Sequence, residues 1–135
     1  MAVRGTIELP GDKSVSHRAA ILSSLSGGRT EIRGFLFSDD CLVTLKALKA
    51  MGVGAKTFRR EHRVIIDSCG VLRQPRGPLD MNESGTSARV LMGLLAGQGF
   101  AARLTGSPSL LKRPMARVIK PLSLMGARIQ PRFKG

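Results

Sequence analysis

Apolar and polar residues alternate over Val3-Arg4-Gly5-Thr6-Ile7-Glu8-Leu9, the pattern of a half-buried strand, and Pro10-Gly11 then break the chain. Ala19-Ala20-Ile21-Leu22 opens a helical run that ends at Ser26-Gly27-Gly28, after which a short strand is expected over Thr30 to Arg33. On a second predicted helix, Cys41, Leu42, Leu45, Leu48 and Met51 recur at offsets of three and four and make one apolar stripe to be buried. Ser38 is placed to cap that helix, and Asp39-Asp40 suit its positive end as well as any ligand role would. Strands near 55 to 58 and 63 to 67, joined by a turn at Arg59-Arg60-Glu61-His62, follow. His62 reads as an exposed turn residue and His17 as part of the polar face of the first helix, so neither is assigned as a general base.

Shifted by roughly 71 to 74 residues, the chain aligns with itself, which indicates a duplicated supersecondary unit. Arg18-Ala19-Ala20-Ile21-Leu22 matches Arg89-Val90-Leu91-Met92-Gly93. Both runs continue as helices to a glycine turn, the second at Gly97-Gln98-Gly99, and a strand over Ala101 to Leu104 is expected next. The second helices end alike, in Leu48-Lys49-Ala50-Met51-Gly52-Val53 and in Leu122-Ser123-Leu124-Met125-Gly126-Ala127. Each unit therefore reads as strand, helix, strand, helix and one or two further strands.

The chemistry concentrates at the openings of the two units. Gly11-Asp12-Lys13-Ser14-Val15-Ser16-His17-Arg18 sits at a strand-to-helix corner, where unpaired backbone N–H groups and the helix dipole favour an anion before any side chain is counted. Arg18 lies one turn after Ser14, and its guanidinium can grip a phosphate or carboxylate with two bonds. Ser14 taken alone is equally a simple helix cap. Asn82-Glu83-Ser84-Gly85-Thr86-Ser87-Ala88-Arg89 repeats the chemistry: Gly85 permits close backbone approach, Thr86 and Ser87 can cap, and Arg89 holds the place of Arg18. A third cluster, Thr105-Gly106-Ser107 through Lys112-Arg113-Pro114, ends with an arginine at a predicted helix start.

With 135 residues and 42% hydrophobic content, the chain is long enough for one domain with a core. Its apolar runs are too short to span a bilayer and no signal peptide is evident, so a soluble, cytoplasmic protein is expected. Cys41 and Cys69 stand far apart without metal-ligand spacing; both read as free thiols, and no metal site is expected. The net charge of +13, from 22 Lys and Arg against 9 Asp and Glu, raises a non-catalytic basic module binding polyanions or nucleic acid as the alternative reading. Against it, there is no Trp or Tyr and only five Phe, and the cations are spread along the chain. An acidic portion of a longer protein would equally account for the imbalance.

Pro10 to Arg18, Ser38-Asp39-Asp40, Ser84-Gly85-Thr86 with Arg89, and Leu104-Thr105-Gly106 through Lys112-Arg113-Pro114-Met115 closely resemble, in order and spacing, the N-terminal part of the 5-enolpyruvylshikimate-3-phosphate synthases. The related enolpyruvyl transferases acting on UDP-N-acetylglucosamine typically read more like Gly-Ala-Lys-Asn at the first corner; Lys13-Ser14 with Arg18 favours the shikimate enzymes.

The resemblance implies an α/β fold of repeated βαβαββ units, an inside-out α/β barrel domain left incomplete here. Its units would span about 13–70 and 80–135, and residues 1–12 would form a strand and crossover that pair with another domain. It implies transfer of the enolpyruvyl group of phosphoenolpyruvate to the 5-hydroxyl of shikimate 3-phosphate, with release of phosphate and no metal or organic cofactor. Lys13, Ser14 and Arg18 would hold shikimate 3-phosphate; Lys13, Gly85 and Arg113 would hold phosphoenolpyruvate. The proton-transfer groups would lie beyond this sequence, which makes it a fragment expected to be inactive alone. The full-length protein is expected to be a monomer with no nucleic-acid or membrane partner. Glu83 stands where the family usually has Asn, and turned inward it would oppose an anion.

Overall fold

The computed structural model describes residues 4–131 and pairs a three-stranded sheet with helices on one side. Helix α1 (Lys13–Ser26) is followed by β1 (Gly28–Arg33), α2 (Asp39–Ala50), β2 (Gly54–Phe58) and β3 (Arg63–Ser68). β3 is central and antiparallel to both neighbours, with Ile32 opposite Val64 on one side and Ala55 opposite Ile66 on the other. A single 3-10 turn over Arg59–Glu61 joins β2 to β3, and His62 follows in the left-handed region at φ 47°, exposed as expected.

The second half is less regular. β4 (Leu79–Asp80) and β5 (Leu104–Thr105) form a two-residue parallel pair on either side of α3 (Gly85–Ala96), and α4 (Pro108–Leu111) and α5 (Ala116–Leu124) follow. The strand expected over Ala101 to Leu104 thus begins only at Leu104, where a partner strand is available. The strand expected over Val3 to Leu9 does not form among residues 4–9, which are exposed and have no neighbouring strand to complete their hydrogen bonds; Val3 lies outside the described residues.

The core lies between β3 and helices α1, α2 and α3. Cys41, Leu45, Leu48 and Met51 bury the α2 stripe as predicted, with Val64 and Ile66 of β3 and Leu91 of α3 in the same cluster. Leu42 is only half-buried, because Val43 and Ala47 take the inward positions beside it. Both cysteines are free thiols, Cys41 buried and Cys69 exposed.

Helix α1 reverses the expected amphipathicity. It buries Ser16, His17, Ser23 and Ser24 and leaves Val15, Leu22 and Leu25 outside. His17, expected on the polar face, is only 1% exposed, because α2 packs over that face and Thr44 supplies a hydrogen-bond partner. The small serines allow close approach and are satisfied locally: Ser24 donates to Ile21 carbonyl, and Ser68 of β3 donates to Ser24 carbonyl, both at 2.6 Å. Helix α5 buries no residue at all, and Leu124 is 90% exposed. Leu48→Ala should lower stability by about 2 to 5 kcal/mol, whereas Leu22→Ala should change it by less than about 0.5 kcal/mol; urea denaturation of the two variants measures both.

Candidate anion-binding site

The N-terminal turns of α1, α2 and α3 meet at one place. Lys13 Nζ lies 2.9 Å from the Asp40 carboxylate, the Cys41 thiol contacts the Lys13 carbonyl at 3.7 Å, and the Ser87 hydroxyl donates to the Asp40 carbonyl at 3.0 Å. Unpaired N–H groups and dipoles of three helices therefore add up at a site shared by both predicted corners. Burial pushes the Asp40 carboxyl up, but hydrogen bonds from Lys13 and Ser84 and the Lys13 charge outweigh it and hold the group below the usual carboxylate range. The same hydrogen bond, then the charge of Asp40, holds the Lys13 ammonium above its ordinary value.

Local sequence accounts for the first corner. Asp12, in extended conformation, caps α1 by accepting from the Val15 N–H at 2.7 Å. Capping thus falls to Asp12, and Ser14, the second helical residue, is exposed with no hydrogen bond from its hydroxyl among the described residues. Ser16 donates to the Asp12 carbonyl at 2.7 Å and accepts from the Leu36 N–H at 2.9 Å, which ties the corner to the loop after β1. Gly11 is required there: a Cβ would collide with the Gly34 carbonyl and stand 2.9 Å from the Leu36 nitrogen. Arg18 is exposed one turn beyond Ser14, with no ion pair among the described residues.

At the second corner Ser84, not Thr86 or Ser87, caps α3, accepting from the Ser87 N–H at 3.1 Å. Ser87 turns its hydroxyl inward instead. Arg113 arrives from far along the chain. Met81 donates to Thr105 carbonyl at 2.8 Å and Ser107 to Asn82 carbonyl at 2.9 Å, which lays the loop before α4 against the entry to α3. The helix expected directly at Pro114 starts at Ala116, with Met115 as an N-cap that makes no side-chain hydrogen bond. A Cβ placed on Gly85 would stand 2.7 Å from Arg89 Nη1 and 3.1 Å from Arg113 Nη1, so two guanidinium groups converge over this glycine. Neither has a carboxylate partner among the described residues, and Arg89 is steadied by a bond to the Pro114 carbonyl at 3.4 Å. Glu83 is exposed and lines, with Asp39, Asp40, Lys46 and Ser84, a hollow of about 280 Å³ that borders the site at Asp40 and carries three carboxylates against one ammonium.

A family described as EPSP synthase (3-phosphoshikimate 1-carboxyvinyltransferase) matches residues 1–134. The chain belongs to the EPSP synthase family. It is 52% identical over 129 residues to the 3-phosphoshikimate 1-carboxyvinyltransferase of Methylococcus capsulatus, covering 94% of this chain and 29% of the relative. To the enzyme of that name from Geobacillus thermodenitrificans it is 49% identical over 136 residues, 99% of this chain and 31% of the relative. A solved EPSP synthase from Acinetobacter baumannii superimposes with a TM-score of 0.87 at 45% identity, over 93% of this chain and 29% of that one. The chain thus has the α/β fold of the EPSP synthases and spans under a third of their length.

Within this EPSP synthase segment, Lys13 and Ser14 lie at the opening of α1, and Gly85 and Arg113 meet at the opening of α3. Arg89 and Asp40 also belong to the constellation, beyond the residues assigned to substrate from sequence. The signal for Arg89 is its repeat register with Arg18; for Asp40 the sequence leaves first-turn charge and a ligand role equally open. Because only flexible arginine tips oppose a Cβ at Gly85, Gly85→Ala should leave thermal stability nearly unchanged while weakening anion binding, read by comparing melting with titration by inorganic phosphate. Burial lowers the His17 pKa below its ordinary value of 6.5, more than the Asp40 charge raises it. The unfolded chain therefore takes up this proton first, and the associated stability, complete above about pH 6.5, declines as pH falls toward the folded value. Urea melts against pH should show that slope shrink in His17→Gln.

Proposed function

We propose that this chain is the substrate-binding segment of an enzyme that transfers the enolpyruvyl group of phosphoenolpyruvate to the 5-hydroxyl of shikimate 3-phosphate. The observation that carries this reading is the meeting of three helix N-termini beside Lys13, with Arg89 and Arg113 over Gly85 and without a carboxylate partner among the described residues. Two polyanions brought together repel one another, and such a surface offsets that repulsion while holding the reacting groups close. Ser14 and Arg18 hold shikimate 3-phosphate; Gly85, through its backbone N–H, and Arg113 hold phosphoenolpyruvate; Lys13 touches both. The 5-hydroxyl gives up its proton as its oxygen adds to the central carbon of phosphoenolpyruvate and a proton joins the methylene carbon; the tetrahedral intermediate then loses phosphate from the central carbon and one proton from the new methyl group, which restores the double bond. No residue described here is assigned the proton transfers, which belong to the portion of the relatives that this chain does not span.

Exposed Ile7 and Leu9, at 83% and 85%, and the uncovered leucines of α1 and α5 support the reading that other parts of a longer protein pack here. Residues 1–12 then supply a strand to the second domain, and 13–135 the two repeat units. No helix among the described residues is long and apolar enough to cross a membrane. We place the complete enzyme in the cytoplasm, as a monomer acting on small molecules without nucleic acid.

The purified 135-residue chain should release no phosphate that depends on both substrates. A chimera in which it replaces the matching segment of the Methylococcus relative should do so, and Lys13→Ala should remove most of that activity while the melting temperature holds. An inactive but folded chimera, or an unaffected Lys13→Ala, would sink the assignment.

A further inference from the structure

The two anion corners lie on different helices, and a buried chain of side chains joins them. His17 Nδ1 is 2.8 Å from Thr44 Oγ1, Thr44 Oγ1 is 3.0 Å from Ser87 Oγ, and Ser87 Oγ is 3.0 Å from the Asp40 carbonyl. Ser84, the cap of α3, joins at 2.8 Å from Ser87 Oγ. Residues 17, 44, 84 and 87 are all at most 2% exposed, so no water competes for these bonds.

The direction of every proton in the chain follows from its end. A carbonyl only accepts, so the single Ser87 hydroxyl proton goes to Asp40, and Ser87 must accept from Thr44. Thr44 has then spent its proton and must accept from His17, which fixes the imidazole as the neutral Nδ1–H tautomer. Consistent with this, Nε2 is buried with no acceptor for a second proton among the described residues. The titratable and charged groups acting on His17 are Asp40 of α2 and Lys13 of its own helix.

We infer that Thr44, which bonds one buried side chain of each corner and none of the proposed substrate-binding groups, is a positioning residue that holds the two corners in register. It is the middle link of the buried path: α1 reaches α3 through this hydroxyl inside the core, while the exposed Lys13–Asp40 pair and the Ser87–Asp40 bond tie the same helices at their rim. On the α3 side the chain ends at the cap beside Gly85; on the α1 side it ends one turn from Lys13 and next to Arg18. Thr44→Val keeps the shape and removes the donor, while Thr44→Ser keeps the donor. The catalytic consequence rests on the proposed function; the register itself does not.

Nitrogen-15 NMR of the 135-residue chain tests the register directly. The wild type should show His17 protonated at Nδ1 alone at neutral pH. Thr44→Val should release that tautomer and move the Ser14 and Gly85 amide resonances together, and Thr44→Ser should restore both. In the Methylococcus chimera, Thr44→Val should raise KM for both substrates on the order of tenfold, since small misplacements of binding groups are costly, with Thr44→Ser close to wild type. The inference is overturned if only one corner's amide responds, if Ser fails as Val does, or if an active chimera keeps both KM values in Thr44→Val. A chimera without activity would count against the proposed function only, and the NMR result alone would then decide the register.

Discussion

Asp40 is where the molecule is tied together. Its carboxylate holds Lys13 of α1 and its carbonyl receives the Ser87 hydroxyl of α3, so one residue at the start of α2 fixes the first turns of two other helices. Three positive helix ends gathered in one place repel each other, and an acid at their junction offsets part of that repulsion. Only part is offset: Arg18, Arg89 and Arg113 have no acid partner among the described residues and leave a surplus of positive charge.

Packing explains why the helices can come so close. α1 presents serines and a histidine to the core beside Ala20 and Ile21, and the buried Ser16 and Ser24 hydroxyls donate to backbone carbonyls. The same choice turns Val15, Leu22 and Leu25 outward. Such an outward apolar face fits a chain that spans under a third of the length of its relatives.

Gly85 and Gly11 do related work at the two corners. At Gly11 the lack of a side chain lets the backbone lie against the Gly34 carbonyl and seats the start of α1. At Gly85 the space is taken by two guanidinium groups rather than by backbone, so that glycine shapes the site more than the fold.

Much of the first unit was legible from sequence. Short-range rules suffice for it: the α2 stripe, the Ser38 cap and the hairpin about Arg59 to His62 depend on neighbours within a few residues. The motifs likewise placed Lys13, Ser14, Gly85 and Arg113 at helix openings or beside one, since an anion corner is written locally as glycine, hydroxyl and cation. What the sequence could not carry was partnership. Residues 4–9 alternate like a strand, yet a strand exists only where another supplies its hydrogen bonds. His17 looked like surface because its polarity is local, whereas its burial depends on Thr44, 27 residues away, and Arg89 joined the site only once Arg113 was folded back over Gly85. Local residue chemistry determined which corners attract anions; the long-range packing of three helices decided that the corners face one another.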